Sequence, residues 1–584
     1  MKKHLFKIRY IKLSAIALFT CCICLISTSI PLVATPDWIV RSNMSADLLL
    51  KAIAAENCEE KLAVSKSLQE INPAFKACRQ KSVVDAVHTL EQKLARVKNP
   101  ELRLDLEILL ETGRQKLRGY ELDEKYRVPY INLTQAILDS FKATLDQKKS
   151  PSEQQAILAK LEQYAGLEPG KIALTTSLEQ KIQAQLQKSE VALPQKDLLK
   201  QDLNNNADQI FKIQEFLRQQ QVPDYQEAYE ALKTQLFDYE TFIRSEVLTK
   251  AKTNFRLPTE LYAFELQQQG IEIPIEELIQ QARSAFVRTQ KQMDEIAPEI
   301  ARQKGIEVSG YREMIEILKQ EQLSAPETLD LYQKRAKDLE TIIEREDLVT
   351  LPQEEFDIRL ATAQEKSNFP VPLYEPDSNT FVIPVFGDPK KAKLYNDFTN
   401  PAMSWTLTAH EGRPGHDLQF ATIENQNLSR ARTDFARNAT SIEGWATYTE
   451  SIMRPYMPLE GRFMSLQLQL LRTARAFLEP ELQLGNVTTA DALKVLTVDA
   501  GFSQFFAEQE IKRYTTRFPG QAPAYFYGSQ QLLQLRFQGE KMLDEEFTPK
   551  KFHDFVLSQG FLTPKLLEQV LRRQWSNAIN SSPI

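Results

Sequence analysis

Glycine is scarce, with 18 in 584 residues, while Leu, Gln, Glu, Lys and Ala fill long windows. That balance works against a sheet-rich fold with many tight turns and favours helix. Cysteine is scarcer still: of five, Cys21, Cys22 and Cys24 crowd the N-terminus, and only Cys58 and Cys78 remain beyond it. Neither belongs to a CxxC or CxxxC pattern, so a structural zinc knuckle is unsupported. Basic clusters and arginine-rich arms are missing beyond the first dozen residues, which argues against nucleic acid as a partner, because phosphate binding needs several cations together. Histidine is rare as well, and past the N-terminal segment only His88, His410, His416 and His553 occur.

The chain opens with Lys2, Lys3, Lys7, Arg9 and Lys12, followed by an apolar run from Leu13 to about Ala34. This is the order of a bacterial secretory signal, with Ala34 a small residue at the cleavage point. Residues 1–34 are therefore expected to be a signal peptide or N-terminal anchor, and the protein periplasmic or secreted. The run suffices for an uncleaved membrane anchor, which needs about 17 to 25 apolar residues, although Ser27, Thr28, Ser29 and Pro31 favour release. Leu18-Phe19-Thr20-Cys21 resembles a lipoprotein processing site, but Phe19 and Thr20 fit it poorly. Membrane contact is expected only through an uncleaved leader or a lipid anchor. Loss of residues 1–34 takes five positive charges and no acids from a formal net charge of −6, leaving −11. In an oxidising periplasm Cys58 and Cys78 either pair, closing a loop of about twenty residues worth roughly 3 kcal/mol, or remain two buried thiols.

From about Ser45 to Asp347 apolar residues return at helical spacing, for example over 81–98, 102–117, 151–164, 207–220, 224–250, 276–304 and 325–346. The breaks carry turn chemistry: Asn99-Pro100, Ser150-Pro151, Pro169-Gly170, Val222-Pro223, Leu257-Pro258 and Ala325-Pro326. Ser150 with Glu153 makes a helix-start signal. Gln219 to Gln221 and Gln267 to Gln269 read as solvated helix faces, since the periodicity continues around them. Between Asn368 and Asp388 the pattern turns β-prone and proline-punctuated, predicting a small two-stranded ribbon near residues 369–387. Such a strand either packs as a connector or pairs with an extended peptide. Helix resumes at about Pro401. Residues 35–365 are expected to form the helical walls of a cleft, and 366–584 a metal-binding catalytic region.

That expectation rests on His410-Glu411-Gly412-Arg413-Pro414-Gly415-His416. Hydrolytic zinc is held by three side chains from His, Glu or Asp, leaving a fourth position for water, with a carboxylate to take its proton. The helical spelling HExxH puts both imidazoles on one face. Here the histidines are six apart, and about 100° per residue leaves them roughly 120° out of line on a regular helix. Pro414 removes a backbone donor and clashes with the preceding turn, while Gly415 tolerates shapes other residues resist. The helix must therefore break here, letting the extra residues loop out and bringing the nitrogens within about 5 Å. A third ligand is expected from Glu443 on the helical stretch Ser441 to Ser451, where Gly444 permits close approach of another backbone or of the metal-bearing helix. Glu450, two turns on, either orients a ligand histidine or is solvated.

HEGRPGHDLQ followed by IEGWATYTE resembles the bacterial family called domain of unknown function 885, with its HExxPGHxxQ and EGWAxYxE motifs. Arg472 and Arg475 (RxxR), Glu510 to Tyr514 (ExxRY), Pro519 to Tyr525 (PGQAxxY) and Phe552-His553-Asp554 follow in order. The resemblance is specific from Ala402 to about Leu567. It implies a mainly α, multi-helical zincin-like metallohydrolase, with His410, His416 and Glu443 holding Zn2+ and Glu411 as general base. Tyr514, Arg513 and Tyr525 become candidates for stabilising an oxyanion or binding substrate. Two departures stand out: Asp417 and Gln483 occupy positions where the family commonly has histidine, and Glu479 stands for an aspartate. They spare the ligands and alter what surrounds them.

Around the ligands the expected residues are Glu450, Arg472, Arg475, Glu510 and His553. Arg475 is four residues before Glu479, a helical ion-pair spacing; the alternative is that Arg472 and Arg475 bind a peptide C-terminal carboxylate. His553 is expected to fix local packing, as are Trp445, Tyr448 and the Tyr525-Phe526-Tyr527 cluster. The functional expectation is an exported zinc-dependent peptidase acting on peptides. The alternatives are a metal-dependent amidase or esterase on a non-peptide substrate, and an inactive binding or scaffold relative.

Overall fold

The computed structural model describes residues 35–58, 68, 71–144, 151–251, 255–368, 371–386 and 397–581. The leader and the Ser150 cap fall outside them. The fold is mainly helical, and its helices start where the sequence places breaks. Asn72 and Asn99 each accept backbone N–H groups of the first turn, followed by Pro73 and Pro100, whose missing donors cost nothing there. Ser324 opens the Ala325–Arg345 helix, its backbone N–H and hydroxyl both reaching the Glu327 carboxylate at 2.9 and 2.6 Å. The long 224–250 segment divides: an α-helix, Gln226–Phe242, passes into a π-helical turn, Ile243–Leu248.

The ribbon is present but has a third strand, a correction to the two-stranded expectation. β1 (Asp357–Leu360), β2 (Leu373–Glu375) and β3 (Thr380–Ile383) form a sheet in the order β1-β3-β2. β3 pairs with β1 in parallel and with β2 antiparallel. An isolated hairpin is marginal in water. Here β3 is buried along its length, with Phe381 edge-on to Tyr332 at 5.5 Å. β2 is left as an edge.

Apolar side chains gather in separate clusters. One joins Tyr262, Met293 and Tyr332 to Phe381, Phe463, Phe477 and Tyr514, so it draws on both sides of residue 365. Another runs from Leu104 and Ile343 to Trp445, Phe552 and Trp575. The first closes around the helix Leu459–Leu484, buried from Phe463 to Gln483 with few interruptions, and the second around the helix Ala439–Met453. Those helices carry Glu443, Glu450, Arg472 and Arg475. A third cluster, between Leu68 and Ala251, lies within the N-terminal half. Cys58 and Cys78 are joined in a disulfide, Cα to Cα 6.0 Å.

Candidate metal centre

The helix Met403–Glu411 stops at Gly412, and a new helix, His416–Glu424, starts after Gly415. This is the break the Pro-Gly pair predicts. A Cβ on Gly415 would lie 1.9 Å from the His410 carbonyl oxygen, so no other residue fits between the two helix ends. The Trp445 indole donates to the freed Pro414 carbonyl at 2.9 Å, and the Thr449 hydroxyl to the Ala409 carbonyl at 3.0 Å. The exposed ends of the break are thus satisfied by the helix that brings Glu443.

The two imidazoles meet edge-to-face, centroids 4.8 Å apart. One ligand atom each from His410, Glu411 and His416 lies within 4.8 Å of the others. Glu443 Oε2 sits 3.6 Å from His410 Nε2 and 3.3 Å from His416 Nε2. Bonds of about 2.0 Å at tetrahedral angles put zinc ligands about 3.3 Å apart. Both distances to Glu443 are close to that spacing, and two imidazole nitrogens with a carboxylate oxygen are a donor set that suits zinc. Gly444 is where the Ala439–Met453 helix touches the Ala524–Leu543 helix, its added Cβ falling 2.6 Å from Gly528 Cα. The close approach predicted at Gly444 is therefore made to the Tyr525 helix.

The charges of the cluster are strongly coupled. Burial and Arg472 push the His410 imidazolium down, yet Glu443, Glu450 and Glu411 together outweigh them and raise its pKa to about 9. Burial works against Glu443 too, but the two imidazoles hold its carboxyl well below the usual range. Glu411 goes the other way: burial, only partly offset by His410 and His416, raises its pKa. Its Oε2 accepts the Tyr374 backbone N–H at 2.8 Å, and the Tyr374 ring stacks over His416 at 6.5 Å. Tyr374 lies on β2, so the edge strand reaches the site. Sequence reasoning missed this residue; the β-prone ribbon before the motif was its only signal.

Glu450 Oε1 lies 2.7 Å from His410 Nδ1 and accepts from Arg472 Nη2 at 3.0 Å, so it adjoins the ligand as expected. Arg475 corrects the sequence-based ion pair. It forks onto Glu510 at 2.6 and 2.8 Å, across 35 residues, and not onto Glu479. Glu479 accepts instead from the Tyr262 hydroxyl and the Gly520 and Ala522 backbone, and burial raises its pKa to about 8. Tyr514 gives its hydroxyl proton to Glu510 at 2.8 Å, which commits it to that carboxylate. Tyr525 meets His410 as Tyr374 meets His416, lying parallel to it at 6.3 Å, its hydroxyl accepting from Arg513 Nη2 at 3.0 Å. Arg513 opens a π-helical turn, Arg513–Arg517.

His553 hydrogen-bonds the Tyr448 hydroxyl and the Leu348 carbonyl, both at 2.7 Å, and packs edge-on to Trp445, a structural place. The two departures also find their reasons. Asp417 takes the buried Arg413 guanidinium at 2.6 Å, while Glu340 takes its other side at 2.8 Å. Gln483 bridges backbone, accepting from Leu257 N–H and donating to the Tyr514 carbonyl.

Fold and site thus define a mainly helical protein with a buried His-His-Glu cluster. The model of the family described as bacterial protein of unknown function (DUF885) matches residues 58–571, and the chain belongs to that family. Two solved structures share the fold. One is a "putative lipoprotein of unknown function" from Shewanella oneidensis, TM-score 0.67 and 17% identity, covering 92% of this chain and 100% of its own. The other is a "putative lipoprotein" from Colwellia psychrerythraea, TM-score 0.62 and 17% identity, covering 92% and 98%. No curated protein matches the chain.

Proposed function

We propose that the protein is an exported zinc-dependent hydrolase, a peptidase acting on peptides. The observation that carries this reading is the triangle of His410 Nε2, His416 Nε2 and Glu443 Oε2, with sides to Glu443 of 3.6 and 3.3 Å, beside the buried carboxyl of Glu411. Zinc held there supplies Lewis acidity that activates water for attack. Glu411 is the general base: burial raises its carboxyl above the ordinary range, the direction that makes a carboxylate a stronger base, and the Tyr374 N–H fixes one oxygen while the other takes the proton. Glu450 orients His410 from behind. Tyr525 and Arg513 stand where they can bind substrate or steady developing negative charge.

The test is metal analysis of the mature chain with cleavage of a peptide library, for the native protein and Glu411→Gln. Stoichiometric zinc with cleavage abolished in the variant is expected. Zinc with no peptide cleavage turns the reading to a non-peptide amide or ester, and no zinc with no turnover sinks it.

Export is supported by the leader, by the Cys58–Cys78 disulfide and by the description of both structural neighbours as lipoproteins. Among the described residues no helix is long and apolar enough to cross a membrane. The N-terminal mass of the envelope protein decides the mode. A chain beginning after Ala34 is released, a lipid-bearing Cys21 is anchored, and a full-length chain with reduced cysteines overturns export.

A further inference from the structure

Tyr525 is ringed by cations. The guanidinium carbons of Arg472, Arg475 and Arg513 lie 4.8, 4.5 and 5.1 Å from its ring centroid. Arg472 and Arg475 are only 6% and 5% exposed. Their ion pairs leave something over: Arg472 Nε and Arg475 Nη1 are buried and meet no hydrogen-bond acceptor among the described residues. An unsatisfied buried donor costs about 1–3 kcal/mol. The charge is unbalanced as well. Three arginines share Glu450 and Glu510, while Glu443 is engaged by the two imidazoles. As a phenol, Tyr525 offers a hydroxyl and no formal charge. The cluster therefore lacks one negative charge and two acceptor atoms.

A carboxylate carries both. We propose that Arg472 and Arg475 form the subsite for the free C-terminal carboxylate of a peptide, which makes the protein an exopeptidase working from the C-terminal end. The proposal deepens the peptidase reading and rests on it. The subsite is one side-chain layer from the ligands: Tyr525 lies against His410, and Glu450 touches both His410 and Arg472. The two free donors, Arg472 Nε and Arg475 Nη1, belong to planar guanidiniums whose Nη2 groups are held by Glu450 and Glu510, a fixed placement of donors that a lysine would not keep.

The test is calorimetric binding of one peptide, as free acid and as C-terminal amide, to the zinc-loaded Glu411→Gln protein, which should not turn it over. The free acid is expected to bind at least tenfold tighter, and Arg475→Lys to shrink that ratio in protein whose circular dichroism is native. Equal binding of acid and amide, or no binding of either, overturns the proposal, and needs no arginine variant to do so. An amidated peptide ending in Glu reports on side-chain carboxylates; binding as tight as the free acid overturns the C-terminal assignment. Cleavage by the native protein separates the two readings. Acid-selective binding without any cleavage leaves the subsite standing and removes the peptidase, while cleavage with no preference for the acid does the reverse.

Discussion

Glu450 joins the ligand set to the arginines, and its replacement tests what that junction does. It is 2% exposed, and burial is outweighed by Arg472 and His410, which hold its pKa below the ordinary value. Carboxylates behind a ligand imidazole fix its orientation, and losing one typically weakens metal binding 10–100-fold. Glu450→Gln is expected to raise the zinc Kd by about that factor in a chelator competition; an unchanged Kd would mean that Glu450 only neutralises Arg472. His553 makes a separate prediction. Burial pushes its pKa down from 6.5 to about 4, so between those values the unfolded chain binds the extra proton. Its contribution is complete above about pH 6.5 and is lost as pH falls toward 4, on the order of 3 kcal/mol. Urea unfolding from pH 7 to 4.5 should show a shallower decline for His553→Gln than for the native protein. Parallel slopes would reject the assignment.

At the scale of elements, the site depends on two helices approaching more closely than side chains allow. Gly444→Ala places a methyl 2.6 Å from Gly528 Cα, forcing the Glu443 and Tyr525 helices apart. Overpacking of this kind costs about 1–3 kcal/mol. The expected result is a lower denaturation midpoint together with weaker zinc binding. A lower midpoint with native affinity would show that this contact does not set the position of Glu443. What the sequence made legible here was local. The broken helix followed from Pro414 and Gly415, and the approach of Glu443 to both histidines from a carboxylate beside a glycine on the next helix. What stayed hidden was long-range. Glu479 stood at the right spacing for Arg475, yet Glu510, distant in sequence, holds it, because the Arg513–Arg517 turn that follows the Glu510 helix packs against the Leu459–Leu484 helix. β1 is four residues long, too short for a periodic signal. Tyr374 acts through its backbone N–H, which no residue type announces.

Across the whole molecule, the N-terminal helices form a layer that the disulfide and a few buried charges tie down. Leu49, Val83, Leu90 and Leu109 make a small core of their own, joined by Ala431. Arg432 reaches into that layer, bonding Asp105 at 2.9 Å and Glu101 at 2.5 Å, while Arg573 shares Glu101. Cys58–Cys78 links the stretch after the Asp37–Ile53 helix to the Pro73–Leu94 helix, 20 residues apart in sequence. Closing a loop of that size is worth roughly 3 kcal/mol through the entropy denied to the opened chain. The benefit should be local, because the cluster it serves is separate from those around the site. Replacing both cysteines by serine is therefore expected to speed hydrogen exchange in Asp37–Ile53 and Pro73–Leu94. Exchange in Leu459–Leu484 and the zinc content should stay native. Faster exchange in both regions would mean that the N-terminal layer and the site open as one cooperative unit, and that the disulfide holds the metal centre as well as its own helices.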